Sequence, residues 1–370
     1  MSFTFSEEHE DLRRMVRDLL DDTSPEAEVR RLMETPQGFD PAVWKQIGDL
    51  GLLGLAVPER FGGAGYGFLE VGIVLEEAGR SLLCAPYLSS VVLATSTLLH
   101  CGDEAAAERY LPDLVSGAIR GTLALTEESG RWDEGGVATV ARPRDGAWSV
   151  SGTKTYVLDG HTADLLIVAA VTGAGVGLFA VEADAPGLTR DPLPTMDMTR
   201  RQARLRFDET PARLLGEEGR GWPVLSRVLD LAVVGLAAEQ VGGAAKTLEM
   251  AVEYAKVRQQ FGKAIGSFQA VKHRCADMLV EVESARSAAY YGLWAANGLT
   301  AELPAVASLA KAYCSTAYFT CAAESIQIHG GIGFTWEHPA HLYFKRARSS
   351  RQLFGDPEHH RELVAQRIGL

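Results

Sequence analysis

The sequence predicts an α+β protein, mainly α, in three consecutive domains. These are an N-terminal helical domain over 1–118, a middle β-barrel or sandwich domain over 119–222 and a C-terminal four-helix bundle over 223–370. Three observations predict it. Apolar residues recur at helical spacing as far as Gly117–Thr122. From there to Trp222 they shorten to strand-length runs divided by turn residues. After Gly221 the helical period returns and persists. The length of 370 residues agrees with two or three domains at about 150 residues each.

In the first domain, Ser6 reads as an N-cap with a carboxylate in the turn that follows, and Leu12, Met15, Val16, Leu19 and Leu20 fall on one helical face. Asp40-Pro41 is an N-cap and N1 pair ahead of a helix carrying Val43, Trp44, Ile47 and Leu50. Val57 to Gly65 is a loop, and helices resume over Leu69–Leu83 and Leu88–Leu99. The strand runs are Thr122–Leu125, Trp148–Ser151, Leu165–Ala170, Gly177–Val181 and Ala203–Phe207, with turns such as Asp145-Gly146 and Gly173–Gly175. Long helices follow at about 223–257, 266–297 and 303–329, and a last pair divides at Gly355-Asp356-Pro357.

Composition excludes several classes of function. Hydrophobic residues at 46% and charged residues at 23% rule out global disorder. Lys+Arg 36 against Asp+Glu 48 leaves a formal charge of −12, which argues against nucleic acid or anionic lipid as a partner and leaves room for a local basic site. The five cysteines show no zinc-like spacing and read as small hydrophobes in a reducing compartment; the nine histidines form no metal cluster. The start, MSFTFSEEHEDLRRMVRDLL, is charged where a signal peptide needs its apolar core. The apolar stretch Leu165–Val181 contains glycines and reads as two strands with a turn. A cytoplasmic protein without membrane or metal is expected.

Three constellations carry candidate chemistry. Arg258-Gln-Gln-Phe261-Gly262 closes a long helix; it reads either as a pyrophosphate contact or as an ordinary helix end with Gly at C′. Gln327-Ile-His-Gly330-Gly331-Ile-Gly333-Phe334 ends another, either exposing amides to an anion or stopping the helix, with His329 as a cap. Thr126 and Tyr156 stand on neighbouring β loops, where a hydroxyl and an aromatic face suit a flat heteroaromatic ring; ordinary strand and turn residues explain the same letters. There is no nucleophile elbow, HExxH, P-loop or EF-hand pattern.

Taken in order, these segments resemble the acyl-CoA dehydrogenase family, flavoproteins that oxidise the Cα–Cβ bond of acyl-CoA thioesters. The resemblance rests on Ile47 to Leu55 with Val57-Pro58-Glu59, Glu76-Glu77-Ala78-Gly79-Arg80, Trp148 to Val157 with Gly152-Thr-Lys154, and Arg258-x-x-Phe261-Gly262. Phe268-Gln269 and Gln327-x-x-Gly330-Gly331-x-Gly333-Phe334 complete it. It implies FAD, an acyl-CoA substrate, electron-transfer flavoprotein as acceptor and a homo- or heterotetramer. It also implies that Arg258, Phe261, Gln269, Gln327, Gly330 and Gly331 grip the ADP half of a FAD held mainly by a neighbouring subunit, with Thr126 and Tyr156 near the flavin ring.

The departures concern the catalytic base, the carboxylate that removes the α-proton. One family position for it matches Gly355, in Leu353-Phe354-Gly355-Asp356; the other matches Ala232, followed by Val233 where Arg is usual. The family's Thr-Glu-Pro pattern is Thr126-Glu127-Glu128, and its flavin-facing tryptophan is Tyr156, with Leu158 in place of a threonine. Asp356 reads first as an N-cap, and Asp230 and Glu239 lie on the helix of Ala232 without the right reach. The expectation is α,β-dehydrogenation of a CoA thioester, with this chain as the base-lacking subunit of a heterotetramer. The alternatives are a non-catalytic structural subunit, or flavin-dependent oxidation of a non-CoA substrate. Loss of Glu and Arg from the first bundle helix suggests room for a bulky acyl group such as a steroid.

Overall fold

The structure, a computed structural model, describes residues 5–144 and 146–370. Asp145 of the expected turn and the first four residues of the expected leaderless start lie outside the described residues. The chain forms two compact units, each discontinuous in sequence: one of residues up to Arg31, Phe68–Leu83 and Val233–Leu370, the other of Leu32–Gly67 and Cys84–Ala232.

The second unit carries the sheet. Helix α1 (Glu7–Thr23) belongs to the other unit and α2 (Glu26–Glu34) crosses the boundary, but α3 (Pro41–Asp49) lies wholly here, capped as expected by Asp40, whose side chain accepts from the amide of Ala42. Trp44 Nε1 donates to Gly117 O at 3.1 Å and Tyr87 OH to Leu52 O at 2.9 Å, fixing the segments around α3. Residues Leu88–Thr95, expected as α-helix, wind as a π-helix and become α only over Ser96–His100. No feature of the sequence marks that widening.

The strands are β1 (Gly121–Ala124), β2 (Val140–Arg144), β3 (Ala147–Leu158), β4 (Leu165–Thr172), β5 (Gly175–Glu182), β6 (Leu188–Pro192) and β7 (Gln202–Leu215). They pair in the order β1-β4-β2-β3-β7-β5, β6 adds to β7, and β5 pairs back onto β4. Strands β4, β2, β3, β7 and β5 therefore close a ring, which resolves the choice between barrel and sandwich in favour of a barrel and leaves those strands without open edges. The apolar stretch at 165–181 is the antiparallel pair β4–β5, joined at Thr172↔Gly175. Leu166, Val168, Phe179, Val181 and Leu205 fill the interior.

The other unit is helical: α1, α4 (Phe68–Arg80), the C-terminal part of α7 (Gly221–Val257), α8 (Gln269–Asn297), α9 (Leu303–His329), α10 (Ala340–Gln352) and α11 (Pro357–Arg367). Ser6 caps α1 as expected; the reciprocal bond comes from His9, whose Nδ1 accepts from the Ser6 amide, and not from a carboxylate. Arg13 and Arg17 on α1 pair with Glu76 and Glu77 on α4. The Glu76-Glu77-Ala78-Gly79 run has a second role. A Cβ on Gly79 would stand 1.9 Å from Glu239 O, and one on Gly242 1.7 Å from Glu76 O, so α4 and α7 cross backbone against backbone. Small residues (Ala237, Ala285, Ala289, Ala310, Cys314 and Ala317) fill the core where α7, α8 and α9 meet. Helix α7 is long and apolar enough to cross a membrane, but 89% of its most apolar window is buried in the protein, as in a core helix. None of the five cysteines is in a disulfide.

Candidate functional site

The exit from α7 is a hairpin. Strands β8 (Gln259–Gln260) and β9 (Lys263–Ala264) pair across the two-residue turn Phe261-Gly262. Both turn residues have positive φ, 50° and 74°, the type I′ pattern that matches strand twist. Gly262 therefore serves the hairpin and is not the helix C′ residue. Phenylalanine in the left-handed region is uncommon, and here it leaves the ring 91% exposed, edge-on to Phe268. Arg258 and Gln269 flank this turn on the surface, and neither side chain has a hydrogen bond or ion pair among the described residues.

Helix α9 ends two residues beyond the exposed Gln327. Gly330 takes φ +65 as its C-cap, its amide returning to Gln327 O and Ile326 O, and a 3₁₀ turn runs over Gly330–Phe334; a Cβ on Gly330 or Gly331 would meet open space. The helix-stop reading of Gly330 is thus correct, and the same residues leave a bare, accessible backbone. His329 is not the dipole cap expected of it. It is buried, it hydrogen-bonds through Nδ1 to Ser325 O at 2.7 Å, and burial lowers its pKa, so the ring is neutral and donates that bond. Its face lies 4.5 Å from Tyr254 of α7 and 4.2 Å from His338. The Tyr254–His329 contact brings the Arg258 hairpin and the Gln327–Gly331 turn to the same end of the helical unit.

The two base positions carry no acid. Ala232 is fully buried in α7. Phe354 and Gly355 have φ of 61° and 101°, and a Cβ on Gly355 would stand 2.5 Å from His359 Cδ2. Asp356 is the N-cap of α11, its side chain accepting from the His359 amide at 2.8 Å. Glu239 is buried and paired with Arg346 at 3.0 Å. Sequence reasoning missed Arg346 because it reaches Glu239 from a segment 107 residues away, and missed His359, only four residues from Gly355, because the contact depends on how the chain turns into α11. Restoring a carboxylate by Gly355→Glu is expected to destabilise the protein by about 1–3 kcal/mol, from left-handed backbone strain and the His359 overlap, as read by thermal unfolding.

In the barrel unit, Thr126 is buried. Its hydroxyl donates to Thr155 O at 2.8 Å, leaving only acceptor lone pairs for any ligand, and its carbonyl accepts from the Thr155 amide at 2.9 Å. Tyr156 follows at φ +58 with its ring 49% exposed, where the β3–β7 register shifts between Lys154 and Val157. A bulge of this kind re-aims one side chain out of the strand.

The donor set on the helical unit fits a dinucleotide: a guanidinium and two side-chain amides without internal partners, an unobstructed glycine backbone and a bare aromatic ring suit phosphate oxygens and a heteroaromatic base. Among the described residues no group of His, Cys, Asp and Glu is placed to hold a metal ion.

The acyl-CoA dehydrogenase N-terminal, middle and C-terminal domains match residues 6–118, 122–210 and 219–369. The chain belongs to the acyl-CoA dehydrogenase family. Among its relatives, acyl-CoA dehydrogenase IpdE2 of Mycobacterium tuberculosis is 36% identical over 95% of this chain and 94% of that one. Among solved structures, the Tcur3481-Tcur3483 steroid ACAD matches with a TM-score of 0.89 and 31% identity over 98% of each chain. The ChsE4-ChsE5 complex from Mycobacterium tuberculosis matches at 0.91 and 30%, over 100% of this chain and 99% of that one. Family membership and FAD-dependent structural neighbours support FAD as the cofactor and an oxidoreductase of acyl-CoA dehydrogenase type.

Proposed function

We propose that this chain is the base-lacking subunit of a heteromeric acyl-CoA dehydrogenase, an α2β2 tetramer in which a related chain supplies the carboxylate. The observation that carries the reading is Gly355, which puts no carboxylate at the family's base position and whose left-handed backbone and close approach to His359 would strain one. The neighbouring acids are committed elsewhere, Asp356 to a helix cap and Glu239 to Arg346. Two of the similar structures carry two-component names, Tcur3481-Tcur3483 and ChsE4-ChsE5, which supports a paired assembly. So does the exposed apolar surface of the helical unit, with Leu279 and Val280 on α8 and Leu309 and Tyr313 on α9.

FAD, when bound, would supply the hydride acceptor for the substrate Cβ. Arg258, Gln269 and Gln327 bind the pyrophosphate of a FAD held mainly by the partner, the Gly330-Gly331 backbone lets it approach, and Phe261 offers its ring to the ADP half. Thr126 and Tyr156 stand where the ring of a FAD bound to this chain itself would lie. The substrate is an acyl-CoA with a bulky acyl group, a steroid being the model that the named steroid ACAD suggests. Electron-transfer flavoprotein is the acceptor, and the assembly is cytoplasmic.

Co-expression with neighbouring genes of the native host, followed by native mass and flavin content, tests this. The expected result is a mixed tetramer holding fewer FAD than chains, active on acyl-CoA. A pure homo-oligomer with a full complement of FAD and turnover would overturn it. A mixed tetramer whose activity survives loss of Arg258, Gln327 and Phe261 together would reduce this chain to a structural subunit.

A further inference from the structure

The two donor-bearing ends of the helical unit are joined by side-chain rings. The Tyr254 ring of α7 lies 4.5 Å from that of His329 on α9, inclined by 32°, and the His338 ring lies 4.2 Å from His329 at 50°. Both imidazoles are tied to backbone. His329 Nδ1 donates to Ser325 O at 2.7 Å, one turn back along its own helix, which fixes the ring plane and the tautomer. His338 Nδ1 accepts from the Ala340 amide at 3.2 Å, at the first residue of α10. The turn after α9 folds closely over the same histidine. A Cβ on Gly333 would stand 2.9 Å from His329 Cβ and 3.0 Å from Ile326 O, an approach that needs glycine.

The donors stand directly beside these rings. Arg258 is one turn beyond Tyr254, and its amide donates to Tyr254 O at 2.9 Å. Its carbonyl accepts from the Ile265 amide at 2.8 Å, closing the hairpin onto the helix end. Gly330 follows His329 directly, and Gln327 precedes it by two residues. Any slip of the His329 ring against Tyr254 therefore moves the bare glycine backbone relative to the guanidinium. Burial keeps the imidazole neutral, so the contact carries no charge and acts through shape. Flat rings in contact fix both the spacing and the tilt of the segments that bear them, where aliphatic side chains would slide.

A pyrophosphate gripped from two segments is held well only where their spacing exists before it arrives, because ordering each segment on binding costs affinity. We propose that Tyr254 and His329 are positioning residues for the ADP half of FAD, their ring contact setting the distance between the Arg258 hairpin and the Gln327–Gly331 turn. This rests on the reading above, in which this chain contributes to the ADP half of a FAD held mainly by the partner. Neither side chain needs to touch the dinucleotide. Tyr254 acts through Arg258, and His329 through the glycine turn that follows it.

The test titrates FAD into the co-expressed assembly stripped of its own FAD. Tyr254→Leu removes the ring and breaks no side-chain hydrogen bond among the described residues; FAD is expected to bind about 3- to 10-fold more weakly, the size of the lost preorganisation. Tyr254→Phe keeps the ring and restores the affinity. Two readouts separate positioning from packing. Native affinity falls as salt is raised, through Arg258, and in Tyr254→Leu this dependence flattens toward that of Arg258→Ala. In an Arg258→Ala background, Tyr254→Leu weakens binding by less than about twofold more, since the group it positions is gone. His329→Leu repeats the effect from the other segment. If that buried variant fails to fold, the half-buried Tyr254 series, checked by thermal unfolding, carries the test. Native affinity and native salt dependence in folded Tyr254→Leu overturns the positioning role, as does a fully additive loss with Arg258→Ala. A native assembly that binds no FAD, or an Arg258→Ala assembly that binds it unchanged, overturns instead the functional reading beneath.

Discussion

Replacing Arg346 by methionine is expected to lower stability by about 3–5 kcal/mol, the largest single effect in the helical unit. The Arg346 Nη1–Glu239 Oε1 contact is 3.0 Å, with the two side chains only 3% and 6% exposed. The loss comes less from the attraction itself than from leaving a carboxylate in a core that cannot solvate it. The double variant Arg346→Met/Glu239→Leu is expected to recover most of the loss, since it removes both charges. Urea unfolding of the single and double variants measures the coupling, and a single variant as stable as the native protein would sink the argument. The pair also bears on chemistry, because a carboxylate held this way is not placed to take a substrate proton.

Much of this fold was legible in the residues. Helical spacing placed α7, α8 and α9 within a few residues of their ends, and the glycines inside Leu165–Val181 separated β4 from β5. Both are local signals, a period and a turn. The Leu88–Thr95 π-helix was not legible, because its apolar letters are those of any buried helix. Nor was the division into two units visible, since it interleaves segments far apart in the chain. At the candidate site, Arg258 and Gln327 were chosen by motif. That they stand at one end of the unit depends on the Tyr254–His329 contact, between residues 75 positions apart in sequence by the difference of their numbers. Phe261-Gly262 shows the limit most plainly. In sequence the segment reads either as a phosphate contact or as a helix stop, and only the pairing of Gln260 with Lys263 reveals a hairpin turn whose first residue is a phenylalanine in glycine's conformation.

Arg258→Ala is expected to weaken FAD binding by the assembled protein by about 10- to 100-fold, the effect of losing one charged hydrogen-bond donor to a phosphate. The size follows from what Arg258 does without FAD: it is exposed and has no hydrogen bond or ion pair among the described residues, so its removal disturbs no internal contact and stability should stay within about 0.5 kcal/mol. Arg258→Lys keeps the charge but loses the planar two-pronged donor, and should recover only part of the affinity. Because the site is open to solvent, the native protein's advantage over Arg258→Ala should shrink as salt is raised. Isothermal titration of FAD into the stripped assembly at low and high salt gives all of these values. Equal affinity in native protein and Arg258→Ala would mean that the hairpin faces no phosphate, and the shared-dinucleotide reading of this helix end would fall with it.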